Sequence, residues 1–132
     1  MISFEDFAPT AGVPIYLQIL RYLQRGAAAG RFCDGDELPS RRVLSALLGV
    51  NPNTVQKAYR LLEERGMIRS HSGAKSYMVL TDETVHAIRR ELLENDVRAL
   101  VTAMRQTGVG KEDALTLIAR VWDDENGNGE TL

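Results

Sequence analysis

The Asn51-Pro52 pair constrains this chain more than any other dipeptide in its 132 residues. Asparagine at a helix N-cap accepts a hydrogen bond from a free backbone N–H. Proline just inside the start has no N–H to lose and a φ already set for the helix. The pair therefore starts a helix at residue 52. Val55, Ala58, Tyr59 and Leu62 follow at i, i+3, i+4 and i+7, one buried stripe. Gly66 ends it. Upstream, Ser40 is the N-cap of another helix, with Leu38 placed to pack at its entry. Val43, Leu44, Leu47 and Leu48 give that helix an apolar face, Gly49 terminates it, and Val50 plugs the turn. Residues 38–66, LPSRRVLSALLGVNPNTVQKAYRLLEERG, thus read as a helix-turn-helix.

The second of these helices has a face made for hydrogen bonding. Asn53, Lys57 and Arg60 lie opposite the buried stripe, flanked by Thr54 and Gln56. Asn and Gln pair bidentately with adenine, and Lys donates to guanine or to phosphate. Asn53, Gln56 and Lys57 are the expected base readers, and Thr54 suits a phosphate or a thymine methyl. The free N–H groups at the start of the preceding helix attract phosphate, and Arg41 and Arg42 add charge there. Adjacent helical positions point about 100° apart, so both need not reach DNA. Arg42 is favoured; Arg41 is left open, with an ion pair to Asp36 or Glu37 as the alternative.

The surrounding chain fits a reader of this kind. Residues 1–12 show no period and read as an arm. Pro14 opens a helix carrying Ile15, Ile19, Leu20, Leu23 and Ala27, with Gly30 beyond its end. In the turn-rich connector that follows, Phe32 anchors to the core and Cys33 serves as a small apolar filler. After Gly66 the period changes to that of two short strands, residues 68–71 and 76–79, around Ser72-Gly73-Ala74-Lys75. A hairpin in this place is a wing, and Arg69, Ser72, Gly73 and Lys75 are its candidate DNA contacts. Thr81-Asp82-Glu83 starts a long helix with a capping residue and acids at the positive end of its dipole. Val85, Ile88, Leu92, Leu93, Val97, Leu100, Val101 and Met104 stripe it to about residue 106. Gly108 and Gly110 break it. A last helix, residues 112–123, carries Leu115, Ile118, Ala119 and Trp122, and residues 126–129 read as a frayed tail.

Composition excludes other classes. A hydrophobic content of 44% and a charged content of 26% are those of a globular protein. No apolar run approaches the roughly 20 residues needed to span a bilayer, and the acidic start MISFEDF is no signal peptide, so a cytoplasmic location is the default. One cysteine allows no internal disulfide. Cys33, His71 and His86 match no metal-ligand spacing, no nucleophile signature is present, and no Gly-rich phosphate loop follows a strand. No enzyme, metal or cofactor is expected. The net charge of −2 hides an asymmetry: residues 1–80 hold ten Lys/Arg against seven Asp/Glu, residues 81–132 six against eleven. The basic part coincides with the reader.

At Leu38-Pro39-Ser40, Gly49-Val50-Asn51-Pro52-Asn53-Thr54-Val55, Ala58-Tyr59-Arg60-Leu61-Leu62-Glu63 and Pro14-Ile15-Tyr16-Leu17-Gln18-Ile19, the sequence resembles the GntR family of bacterial transcription regulators. The match spans residues 14–80. The Asn-Pro-Asn-Thr-Val form resembles the YtrA-like and MocR-like branches. MocR-like proteins continue into a large aminotransferase-like domain; a short helical tail that dimerises is the YtrA-like pattern, and residues 81–125 fit it. The resemblance implies DNA contacts at Ser40, Arg42, Asn51, Asn53, Thr54, Gln56 and Lys57, and from the wing. Arg41 replaces the usual Glu, and Gln56 stands where many relatives have Arg. The usual Arg-Gly-x-Gly-Thr-Phe of the wing becomes Ser72-Gly73-Ala74-Lys75-Ser76-Tyr77.

The expected fold is mainly α with a small β-hairpin wing: a winged helix-turn-helix DNA-binding domain with its arm, residues 1–80, then a two-helix dimerisation tail, residues 81–132. The expected function is a sequence-specific transcription regulator, a repressor, binding a near-palindromic operator in double-stranded DNA as a homodimer. Ile88, Leu92, Val97, Leu100, Val101 and Met104 are the expected dimer contacts. The alternative is a winged-helix module that binds protein. The residues identify no small-molecule effector, and Trp122 is expected to pack the last helix onto the one before it.

Overall fold

The structure is a computed structural model. It describes residues 1–71 and 75–131, with side chains described to residue 125. Along the chain run α1 (Ile15–Ala28), β1 (Glu37–Leu38), α2 (Arg41–Leu48), α3 (Pro52–Glu64), β2 (Ile68–His71), β3 (Lys75–Met78), α4 (Asp82–Gln106) and α5 (Lys111–Thr131). The strands form one antiparallel sheet in the order β1-β3-β2. The chain divides into two compact units, Met1–Leu92 and Leu93–Leu132.

The caps set the helices of the first unit. Ser40 Oγ accepts from the Val43 N–H at 3.1 Å, and Asn51 Oδ1 accepts from the Asn53 N–H at 2.8 Å, with Pro52 in the first turn. Gly49 takes φ +66°, the left-handed conformation that lets α2 stop and the chain turn into α3. The stripe of α3 is fully buried: Val55, Ala58, Tyr59 and Leu62 have no exposed surface. They join Ile19, Leu20 and Leu23 of α1, Leu44 of α2, and Ile68 and Met78 of the wing in one core. Tyr59 solves its polar problem by donating its hydroxyl to the Pro39 carbonyl at 2.6 Å.

Several expectations change. On α2 the buried residues are Leu44 and Ser45, while Val43 and Leu47 are 48% and 68% exposed. Ser45 Oγ donates to the Val50 carbonyl at 2.7 Å, closing the turn from inside and rotating the helix by about one position. The sheet has a third strand. β1 is two residues long and exists through its pairing with β3, Glu37 opposite Tyr77 and Leu38 opposite Ser76. The arm is packed: Ile2 and Phe4 are buried, the Ile2 N–H donates to the Glu37 carbonyl, and the Phe4 ring stacks on Tyr22. Phe32 packs against the core as expected, but Cys33 is exposed, because the Cys33–Asp36 turn points it outward.

The first unit includes the start of α4, to Leu92. Ile88 is 3% exposed in its core, and Leu92 packs against that core half-buried. Arg89 Nε donates to the Ala28 carbonyl at 3.1 Å, and Arg65 pairs with Glu91 at 2.7 Å. Ile88 is therefore spent inside its own chain and is withdrawn from the dimer contacts, while Leu92 keeps part of its surface. In the second unit, Gly108 at φ +78° ends α4 as expected, and α5 extends through the Asn-Gly repeat at residues 126–129. Extending an existing helix costs only about 1 kcal/mol per glycine, far less than nucleating one. Leu93, Val97, Leu100, Val101, Leu115, Ile118 and Val121 remain exposed, and Trp122 is 68% exposed instead of packed away. Trp122 lines a groove of about 480 Å3 with Leu100, Met104, Leu117, Ile118 and Val121. No helix among the described residues is long and apolar enough to cross a membrane.

Candidate nucleic-acid interface

The candidate reading face follows from which side of α3 the core consumes. With the stripe buried, Asn53, Gln56, Lys57 and Arg60 are exposed, and Thr54 is half-buried at the border. The two caps keep hydrogen-bonding capacity. Asn51 uses its carbonyl oxygen on the helix, which leaves both amide donors free, and Ser40 accepts through Oγ and retains its O–H. Both caps lie at helix starts, where donors aimed outward suit a phosphate.

The cations separate by partner. Arg42 is exposed and makes no ion pair among the described residues. Arg41, one turn before Leu44 and Ser45 on the same side of α2, is half-buried. Its guanidinium carbon lies 5.2 Å from the centroid of the Tyr59 ring, and its Nε is buried without a hydrogen bond. Asp36 and Glu37 are not its partners. Arg41 thus packs α2 against α3 through the Tyr59 ring, while Arg42 stands clear of both. Arg60 lies 4.0 Å from Glu64, and both are well exposed. Lys57 Nζ sits 4.0 Å from the centroid of the Tyr16 ring, on the first turn of α1. Burial holds the Tyr59 phenol well above its ordinary range, a shift that the nearby Arg41 opposes more weakly.

In the wing, Arg69 stands opposite Tyr77 and His71 opposite Lys75, so these four share one face. Arg69 and Lys75 are exposed, Lys75 lies 4.0 Å from Glu37, and His71 meets the Tyr77 ring edge-on at 5.4 Å. The opposite face carries Ile68, Ser76 and Met78 into the core. Ser72 and Gly73, the expected contacts at the tip, lie outside the described residues. Two residues of the site escape sequence reasoning: Tyr16, which sits off the buried stripe of α1, and Glu37, which faces Lys75 only because β1 pairs with β3. The Pro-Ile-Tyr motif marked Tyr16 as part of a pattern without saying what the ring touches.

Comparison with known proteins agrees with this fold. The model of the bacterial regulatory proteins of the gntR family matches residues 15–77. The HTH-type transcriptional repressor YtrA of Bacillus subtilis is 30% identical over 120 residues, covering 90% of this chain and 92% of that protein. The HTH-type transcriptional regulator Rv1152 of Mycobacterium tuberculosis is 32% identical over 86% of this chain and 90% of its own. Among solved structures, a GntR family transcriptional regulator from Listeria monocytogenes superposes with a TM-score of 0.74 at 28% identity, covering 85% of this chain and 98% of that one. YtrA from Sulfolobus acidocaldarius, at 33% identity, gives 0.50 over 88% and 94%. The chain belongs to the GntR family of helix-turn-helix transcriptional regulators, in its YtrA-like branch.

Proposed function

We propose that this regulator binds a near-palindromic operator in double-stranded DNA as a homodimer and represses transcription there. The observation that carries the reading is the division of α3: a fully buried stripe behind, and Asn53, Gln56 and Lys57 exposed in front. Asn53 and Gln56 offer bidentate amides to base edges. Ser40, Arg42, Asn51 and Thr54 fix the register on phosphates, and Arg69 and Lys75 reach the flanking backbone from the wing. The repressor role is taken from the name of the Bacillus subtilis relative. The exposed apolar face of the second unit supports the dimer, since Val97, Leu100 and Val101 are exposed there and Met104 lines the groove beside Leu100. Two-fold pairing presents two α3 helices to two half-sites.

Selection of duplexes from a random-sequence pool at a stated salt concentration tests this directly. The expected product is an inverted repeat. Asn53→Ala should cut the preference for that repeat over a scrambled duplex by about 5- to 150-fold, the range of one bidentate base contact. Unchanged preference in the Asn53→Ala, Lys57→Ala double variant would remove α3 as the reader.

A further inference from the structure

We infer that Tyr16 is a positioning residue for Lys57, seating its ammonium at the edge of the reading face where it meets a DNA phosphate rather than a base. This rests on the DNA-binding reading above and deepens it. Lys57 lies one turn after Asn53, and periodicity alone would send it to base edges. Its Nζ instead sits 4.0 Å from the Tyr16 centroid, within range of the negative face of the ring.

The helical wheel says where that seat is. With about 100° per residue, the direction opposite the buried stripe falls between Asn53 and Lys57, with Arg60 on the Asn53 side. Gln56 falls to one side of it. Lys57 falls to the other, toward Thr54 and Leu61, which are both half-buried. Tyr16 of α1 borders that second side and draws the ammonium away from Gln56. A helix in the major groove meets bases along its centre and the sugar-phosphate strand along its edges. The ring contact, which draws the ammonium off the centre of the face, thereby assigns Lys57 to an edge.

The charge is also left uncompensated. Arg60 is paired with Glu64 and Lys75 with Glu37, but Lys57 makes no ion pair among the described residues. A ring holds an ammonium without neutralising it. The seat restricts a side chain that would otherwise spread over many rotamers, so less freedom is lost when a phosphate arrives. The face of the ring does this work, so phenylalanine should replace tyrosine and leucine should not.

The test measures binding of the full chain to its selected duplex and to a scrambled duplex between 50 and 200 mM salt. Lys57→Ala should weaken both by a similar factor, leave their ratio unchanged, and reduce the salt slope by about 0.9 per protomer. Tyr16→Leu should weaken binding by about two- to five-fold, Tyr16→Phe should not, and Tyr16→Leu should cost nothing further in a Lys57→Ala background. A lower selected-to-scrambled ratio with an unchanged slope in Lys57→Ala would make Lys57 a base reader and overturn the inference. Equal losses from Tyr16→Leu with and without Lys57 would make Tyr16 a purely structural residue and overturn it as well. Asn53→Ala separates this failure from the larger one. If it destroys the ratio while Lys57→Ala changes neither affinity nor slope, only the present inference falls. If wild type selects no sequence, the DNA-binding reading falls and takes this inference with it.

Discussion

Tyr59 ties the stability of the reader to pH. Its hydroxyl is buried and donates to the Pro39 carbonyl, and burial raises its phenol above the ordinary value of 10.0. In the unfolded chain the same group releases its proton near pH 10. Above that pH the unfolded state binds fewer protons than the folded state, so stability falls as pH rises toward the folded value. The contribution is intact below pH 10. Its loss is limited to about 1.4 kcal/mol per pH unit. Tyr59→Phe should cost about 1–3 kcal/mol at neutral pH by leaving the Pro39 carbonyl unpaired. The gap between wild type and variant in urea denaturation should then narrow from pH 10 upward. Arg41 and Arg42 offer a second contrast, since they are adjacent in sequence and differ in burial. Arg41→Ala should lower stability by about 0.5–1 kcal/mol through its lost seat on Tyr59 and leave the salt slope of DNA binding unchanged. Arg42→Ala should leave stability alone and reduce that slope by about 0.9 per protomer.

Two glycines test how the helices are joined. Gly49 takes φ +66° at the end of α2, and a Cβ there would meet nothing within 4 Å. Gly49→Ala should therefore cost only the left-handed penalty, about 1–2 kcal/mol. Gly26 has ordinary helical backbone, but a Cβ there would run into the ring of Phe32. Gly26→Ala should cost about 1–3 kcal/mol by overpacking, and Phe32→Leu should recover part of it in thermal unfolding. The difference between these glycines marks what the sequence disclosed. Gly49, Ser40, Asn51 and Pro52 act on backbone within three residues of themselves, so the boundaries of α2 and α3 could be read directly. The stripe of α3 was legible because all of its positions face one core. Features that depend on a distant partner were not. β1 has no pattern of its own and is made by β3. The rotation of α2 depends on Ser45 reaching Val50, and the apolar period alone favoured Val43 and Leu47. The contact between Tyr16 and Lys57 depends on how α1 crosses α3. The exposed polar face of α3 was thus predictable as a face, while the partner of each cation near it was decided by neighbours remote in sequence.

The boundary between the two compact units falls inside one continuous helix, and this gives the two halves of α4 different expected phenotypes. Before it, Ile88 is core. Ile88→Ala should cost the first unit about 2–5 kcal/mol and leave the oligomeric state unchanged. Beyond it, Val97 and Val121 are exposed in the second unit, where truncation removes little that is buried. Placing a charge there should act on association instead, because burying an unpaired carboxylate is far costlier than losing a methyl contact. The Val97→Glu, Val121→Glu variant should sediment as a monomer, with the unfolding of the first unit unaltered. Its reader is intact, so its affinity for a single half-site should equal that of wild type. Affinity for the full inverted repeat should fall by about 10²- to 10⁴-fold, the advantage that linkage confers when the second contact becomes intramolecular. A monomeric variant that kept full affinity for the repeat would show that each reader acts alone and that the apolar face of the second unit serves another partner. A variant that stayed dimeric would move the interface elsewhere, and the exposed Val43–Leu47 edge of α2 is the next apolar surface to test.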